Sequence, residues 1–365
     1  MPIPYEYQTD WSRMAKLIVH QALRTGPGER VLIHADPTYF PALTEQVRIE
    51  VNRAGAVELA AVMLHPPGLE RVRRQLRRRD DPALRRAEDE AMAGIFALAD
   101  IYVWLPTSWA YNPGQTEDIL TTWRGRSVHF HWIMDQVDAG LFRTLSECYD
   151  RALYIDYEAL TARQRQVIEA LRNRTVEITD ARGTRLRFEL PDAHFHVGNG
   201  DASKAFIDGY ARPGSARDRE VELPSGAVRT VDIAAAEGVV VTGPETFAGR
   251  EVGSLRLELR KDRITRITSE HHAAWVEAVW GADTGDKDRI GEFNVGVSPA
   301  LRMLPGISYV PYYGYGAGII RLSLGDNTES GGKNRSSYHH WLFLTDATVK
   351  ANGRPIIERG ELVLP

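Results

Sequence analysis

DRIGEFNVGVSPAL (Asp288–Leu301) and GYGAGIIRLSLGDNTESGGKNRSSYHHWLFLTD (Gly314–Asp346) are the most informative stretches of this chain. They combine a carboxylate set against glycine (Gly291-Glu292), two adjacent histidines (His339-His340) and several tight glycine turns. Glycine lets backbone pass close to an ion or a substrate. Imidazole with carboxylate suits zinc, iron or manganese. Spacing alone does not join these groups, because Glu292 and His339 lie far apart and only the fold can bring them together. A glutamate at a strand end, with histidines facing opposite sides of a strand, accounts for the same residues.

Outward from this block, the chain from about Asn173 reads as short strands. TVEITDARGTRLRFEL (Thr175–Leu190) alternates apolar and polar residues around Ala181-Arg182-Gly183, which predicts a hairpin. Further strands are expected at Thr230–Ala234, Gly238–Thr242, Ser254–Arg260 and Arg263–Thr268, and a helix at Glu270–Trp280. Val197–Val221 is polar and rich in Gly, Asp and Arg, so a long loop able to cover a cavity is expected there. Residues 176–365 are read as an α+β domain with a mainly antiparallel sheet.

The first 175 residues have another rhythm. Asp10–Leu23 carries apolar residues at helical spacing behind a capping Thr9 or Asp10. RVLIHAD (Arg30–Asp36), Pro41–Ala54 and VELAAVML (Val57–Leu64) read as strand, helix and strand. The alternation continues with a helix at Glu88–Leu98, a strand at Ile101–Pro106, a helix at Gln115–Trp123 and a strand at Ser127–Ile133. That order implies an open, mainly parallel α/β sheet. It contains no GxGxxG and no Walker loop, so nothing supports a nucleotide site.

Bulk properties narrow the function. The 365 residues carry 45 basic and 49 acidic side chains, a net charge of -4, which argues against a nucleic-acid or membrane partner. The arginine-rich stretch Arg71–Arg86 reads as a solvated helix face, since Asp80, Asp81, Glu88 and Asp89 accompany it. A single cysteine, Cys148, excludes an internal disulfide and thiolate metal clusters, and reads as buried packing. No segment approaches the roughly 20 apolar residues of a membrane span, and MPIPYEYQTDWSRM has no signal-peptide pattern. A soluble cytoplasmic protein is expected.

Five segments occur in a telling order: ELPSGAVRT (Glu222–Thr230), GEFNVGVSP (Gly291–Pro299), IIRLSLGD (Ile319–Asp326), GGKNRSSYHHW (Gly331–Trp341) and NGRPIIERGEL (Asn352–Leu362). Order and spacing over residues 176–365 resemble the metallo-aminopeptidases of the aminopeptidase T and S type and the related 2,5-dihydroxypyridine 5,6-dioxygenases. The resemblance implies that Glu292 and His339 stand where the aminopeptidases hold metal. Three other ligand positions are replaced: by Arg321 where a histidine is expected, by Trp341 for an aspartate and by Ala227 for a glutamate. Gly325 and Asn334–Ser336 anchor this alignment. A two-ion site needs carboxylates to bridge two dications. Arg321 instead brings a fixed positive charge that repels a dication and attracts an anion.

Candidate replacements are His340, Glu222, Asp326, His271 and His272. The alternating pairs His194/His196 and His129/His131 also have metal-pair spacing, although a hairpin surface and a sheet core explain them equally. Tyr309, Tyr312, Tyr313, Tyr315, Tyr338 and Trp341 read either as core or as a pocket for an aromatic ligand, with Tyr315 favoured. Three functions follow from the resemblance. The first is a divergent metal-dependent hydrolase of an amide or peptide-like bond, with one Zn, Fe or Mn ion at Glu292 and His339. The second is a metal-free member in which Arg321, Trp341 and the tyrosines hold an anionic aromatic compound, with His339 and Glu292 as acid and base. The third is a non-heme iron dioxygenase of a dihydroxypyridine-like substrate. A small-molecule or peptide substrate and a homodimer are implied with them.

Overall fold

The computed structural model describes residues 7–35, 40–63, 82–105, 119–133 and 137–364. It contains two compact units, one made of 1–154 with 200–225 and the other of 155–199 with 226–365. The change in sequence character predicts a single boundary at 175. The helix at 157–171 instead belongs with the second unit, and the segment 200–225 returns to the first.

The first unit is built on a five-stranded parallel sheet. Its strands are β1 (Arg30–Ala35), β2 (Val57–Met63), β3 (Ile101–Trp104), β4 (Arg126–Phe130) and β8 (Glu220–Leu223), in the order β2-β1-β3-β4-β8. Near-continuous apolar runs form β1 and β3 because a parallel sheet is covered on both faces. The helix α1 (Trp11–Lys16) is capped by the Asp10 carboxylate on Arg13 N and continues as a π turn, Leu17–Ala22. The helices α2 (Pro41–Arg53), α3 (Pro82–Leu98), α4 (Ala139–Leu153) and α6 (Lys204–Tyr210) also belong to this unit. Leu32, Phe96, Tyr102 and Leu120 form one apolar cluster within it.

The Val197–Val221 segment, expected as a loop, holds α6, a short 3-10 turn (Arg217–Arg219) and the start of β8. It was missed because α6 spans seven residues and β8 four, too few to show a period. Most of the arginine-rich stretch (71–81) and part of the helix expected at Gln115–Trp123 (115–118) lie outside the described residues. Cys148 is buried, and burial pushes its thiol pKa up. Among the described residues no helix is long and apolar enough to cross a membrane.

The second unit holds two antiparallel sheets and α5 (Tyr157–Leu171). The larger runs β12-β11-β10-β6-β5-β16-β17-β18, from Arg263–Ser269 (β12), Arg250–Arg260 (β11), Ala234–Phe247 (β10), Arg185–Glu189 (β6), Thr175–Thr179 (β5), Thr348–Ala351 (β16), Arg354–Glu358 (β17) and Glu361–Leu362 (β18). The smaller runs β15-β14-β13-β9-β7, from His339–Leu344 (β15), Ile320–Gly325 (β14), Ile290–Gly296 (β13), Ala227–Thr230 (β9) and His196–Val197 (β7). β5 and β6 are the expected hairpin. The strand expected at Thr230–Ala234 is a junction instead, ending β9 and starting β10. The helix expected from Glu270 is α7 (Ala273–Ala282), and His272 precedes it with φ 59°. Leu186, Phe188, Val228, Phe293, Ile320, Leu322, Leu342 and Val349 share one core, and the rings of Phe188 and Phe293 meet at 5.0 Å.

Gly325 shows why this block needs glycine. Its φ is +84°, and a Cβ there would lie 2.0 Å from the Tyr338 carbonyl oxygen. The loop that follows is tied by side chains. Asn327 Nδ2 donates to Gly291 O at 2.8 Å, and Asn334 N donates to Asn327 Oδ1 at 2.9 Å. Asp326 accepts from Thr328 N, Thr328 Oγ1 and Ser336 N, so it shapes the turn.

Candidate functional sites

In the smaller sheet of the second unit, alternation splits the residues cleanly. Phe293, Val295, Ile320, Leu322 and Leu342 enter the core, so Glu292, Asn294, Arg321, Ser323 and Trp341 take the other face. Cross-strand register sets His196, Arg229, Asn294, Arg321 and Phe343 in one row over five strands. The polar members of that row are buried, with Asn294 at 0% and Arg321 at 2% exposure.

Arg321 Nη2 donates to Glu292 Oε1, and Ser330 Oγ donates to Glu292 Oε2 at 3.3 Å. Arg321 Nη1 also reaches Tyr313 O at 3.3 Å. The Arg321 guanidinium lies 4.9 Å from the Trp341 ring centre and 5.5 Å from that of Tyr315, and Arg229 lies 5.6 Å from Tyr315. Tyr313 and Trp341 pack edge to face at 5.1 Å. Neither amide atom of Asn294 and not Nε of Arg321 has a hydrogen-bond partner among the described residues. Buried polar groups are normally satisfied, so these atoms are poised for a ligand or water.

The expected site residues therefore divide. Glu292, Arg321, Tyr315 and Trp341 lie together. His339 shares their face and sits against Trp341 at 5.6 Å, with its side chain exposed. His340 points the opposite way, against Phe247 and Tyr338, where burial pushes its pKa down to about 4, with the neighbouring His339 acting in the same direction. Tyr338 goes with it, away from the other tyrosines. His196 is buried in β7, while His194 precedes that strand. His271 and His272 are exposed. Both oxygens of Glu292 are engaged by protein donors, one of them a guanidinium. This donor set does not fit the two-ion centre that the resemblance implies.

The first unit holds a second cluster. His129 in β4 is the register partner of Glu222 in β8, and His131 follows two residues after His129. Their ligand atoms all lie within 4.8 Å of one another. His131 Nε2 is 3.7 Å from Glu222 Oε1, and His129 Nδ1 is 3.7 Å from Glu220 Oε2. Arg217 Nη1 donates to Glu220 at 2.6 Å and to Glu222 at 3.0 Å. The Trp104 ring stacks on His129 at 3.7 Å. Burial pushes the His131 pKa down to about 4, with His129 adding to the shift and Glu222 opposing it. Burial also lowers His34, whose Nδ1 lies 2.6 Å from Tyr102 Oη, to about 3. A cleft of about 840 Å³ lies at the opposite, amino end of these strands. Among the groups lining it, Arg30 pairs with Asp100, Arg126 with Glu29 and Lys204 with Asp208.

The sequence held the His129/His131 spacing but not its importance. From sequence, Glu222 is expected at the other site, as a replacement ligand or a substrate contact. The missing signal was the pairing of β8 with β4, which no local pattern encodes.

No protein-family model matches the sequence, and no curated protein matches it. Solved structures do. The aminopeptidase AmpT from Thermus thermophilus matches with a TM-score of 0.69 at 16% identity, over 97% of this chain and 98% of that one. The 2,5-dihydroxypyridine dioxygenase from Pseudomonas putida KT2440 matches with a TM-score of 0.64 at 19% identity, over 97% of each chain. At such identities the likeness speaks for the fold. It agrees with the resemblance carried by the five segments from Glu222 to Leu362, and with the α/β and antiparallel α+β classes expected for the two parts. This chain thus has the two-unit fold found in an aminopeptidase and in a dihydroxypyridine dioxygenase.

Proposed function

We propose that this chain is an enzyme acting on a small substrate that carries a carboxylate beside a planar or aromatic group, held on the polar face of the second unit's smaller sheet. The observation that carries this reading is the buried row Arg229–Asn294–Arg321, with Asn294 unsatisfied between two guanidiniums. A guanidinium fork matches a carboxylate in two hydrogen bonds. Arg321 holds the carboxylate, and Glu292 fixes the orientation of Arg321. Asn294 donates a further hydrogen bond. Tyr315 and Trp341 wall the planar part, and His339 on the same face supplies a proton-transfer group.

The reaction class rests on the shared fold, which supports an enzyme. Hydrolysis of an amide or peptide-like bond is the first reading. The aromatic walls favour a second, oxygenation of a hydroxylated heterocycle. Arg321 standing for a ligand histidine supports anion binding there in place of a second metal ion.

Thermal shift and calorimetry with benzene and pyridine carboxylates, and with aminoacyl amides bearing a free carboxylate, test the binding. Amine release and oxygen uptake are read in parallel to separate the two reactions. Carboxylates stabilise wild type and not Arg321→Gln, while matched neutral amides stabilise neither. Equal stabilisation of both folded proteins by the carboxylates would sink this reading. Light scattering on the purified chain tests the implied homodimer.

A further inference from the structure

We infer that His129, His131 and Glu222 form a binding site for one divalent first-row transition ion, at the carboxyl ends of parallel strands β4 and β8 in the first unit. The inference is independent of the proposed substrate face and stands or falls without it.

Three features carry it. The first is convergence. His129 and Glu222 are register partners, so their side chains leave the sheet on one face, and His131 joins them because strand side chains repeat every two residues. Ligand atoms already within 4.8 Å of one another need only small side-chain rotations to meet an ion. Bonds of about 2.0–2.2 Å leave such ligands roughly 3–3.5 Å apart. The backbone of two paired strands fixes the positions in advance.

The second feature is the surrounding shell. Glu220, on the same face as Glu222, sits 3.7 Å from His129 Nδ1. Closing that gap to hydrogen-bond length on ion binding would orient the ring through Nδ1 and leave Nε2 for the ion, as metal-bound histidines are usually oriented. Trp104 stacked on the His129 ring fixes its plane. Arg217 bridges Glu220 and Glu222, so two carboxylates and one guanidinium leave one negative charge beside two imidazoles. That balance accepts a dication without a strong net field.

The third feature is location. Open parallel sheets bind their ligands at the carboxyl ends of the strands. His129, His131, Glu222 and Trp104 all stand at that end. Two imidazoles and one carboxylate, with positions left open, select Zn²⁺, Fe²⁺ or Co²⁺ over the oxygen-seeking Ca²⁺ and Mg²⁺.

The experiment uses the full chain, stripped with chelator and titrated with Zn²⁺ by calorimetry and with Co²⁺ by visible absorption. Wild type is expected to bind one ion per chain and to show a Co²⁺ ligand-field band. His131→Ala and Glu222→Gln, checked for folding by circular dichroism, are expected to lose the band and weaken binding by 100-fold or more. Glu220→Gln is expected to weaken it about 10–100-fold, as for an orienting carboxylate. His339→Ala, in the other unit, is expected to bind like wild type. The inference is overturned if wild type takes up no stoichiometric ion. It is equally overturned if His131→Ala and Glu222→Gln, both folded, bind as wild type does, or if His339→Ala is the variant that loses the ion.

Discussion

Replacing Arg321 by methionine tests the reading of the second unit most directly. Methionine keeps much of the side-chain stem and removes the charge. Glu292 is 6% exposed and would lose the Arg321 guanidinium that its Oε1 accepts from, while Ser330 Oγ still donates to Oε2. Breaking a buried ion pair on one side costs about 3–5 kcal/mol, because the other charge stays desolvated. Glu292→Leu alone should cost a similar amount by stranding Arg321. The double variant Arg321→Met/Glu292→Leu buries neither charge and should return to within about 2 kcal/mol of wild type. The coupling energy of the cycle should then exceed about 2 kcal/mol. Urea unfolding followed by far- and near-ultraviolet circular dichroism measures all four proteins. The cost of Arg321→Met should also shrink at pH 5, where a stranded carboxylate takes up a proton more readily. Single variants that each cost under about 1 kcal/mol, with effects that simply add, would refute the claim that this pair is a desolvated unit.

Other expectations follow from particular residues. His34 and His340 are held neutral by burial, at about 3 and about 4. With folded pKa values below the unfolded value of 6.5, the stability they contribute is present above pH 6.5 and is lost as pH falls toward 4. The slope should be about 1.4 kcal/mol per pH unit for each histidine, read from denaturation midpoints at pH 7, 6 and 5, and flattened by His340→Phe. Glu245 is pushed up to about 7 by burial from its ordinary 4.5, so it opposes folding increasingly as pH rises from 4.5 to 7 and by a constant amount above that. Glu245→Gln should stabilise the chain by about 1–2 kcal/mol at pH 8 and by little at pH 5, and a constant difference would contradict this. Gly325→Ala should cost at least about 2 kcal/mol in a melting experiment, since the new Cβ meets backbone and the φ is left-handed; a neutral result would mean the turn relaxes freely.

Much of the fold is legible in local pattern. Apolar runs between helical segments mark the parallel strands of 30–130, because a sheet covered on both faces needs such runs. Alternation at Thr175–Leu190 marks an antiparallel hairpin with one buried face. Glycine at 325 was readable as a backbone requirement, and the structure supplies the reason in the Tyr338 carbonyl oxygen. Residue identity also raised the right question about Arg321: a guanidinium among expected ligands had to find an anion.

Its partner, and the company it keeps, came only from tertiary structure. Register between strands distant in sequence is set by packing of whole sheets, and no local pattern states it. That register places Asn294 between Arg229 and Arg321, and turns His340 into the core while His339 stays outside. It also lays β8 beside β4, bringing Glu222 to His129 and His131. The sequence by itself determined the parallel strands of 30–130, the β5–β6 hairpin and the set of candidate side chains, but not β8 or the junction of β9 and β10. Tertiary pairing decided which of those residues meet, because side-chain chemistry acts over a few ångströms and those distances are fixed by neighbouring strands.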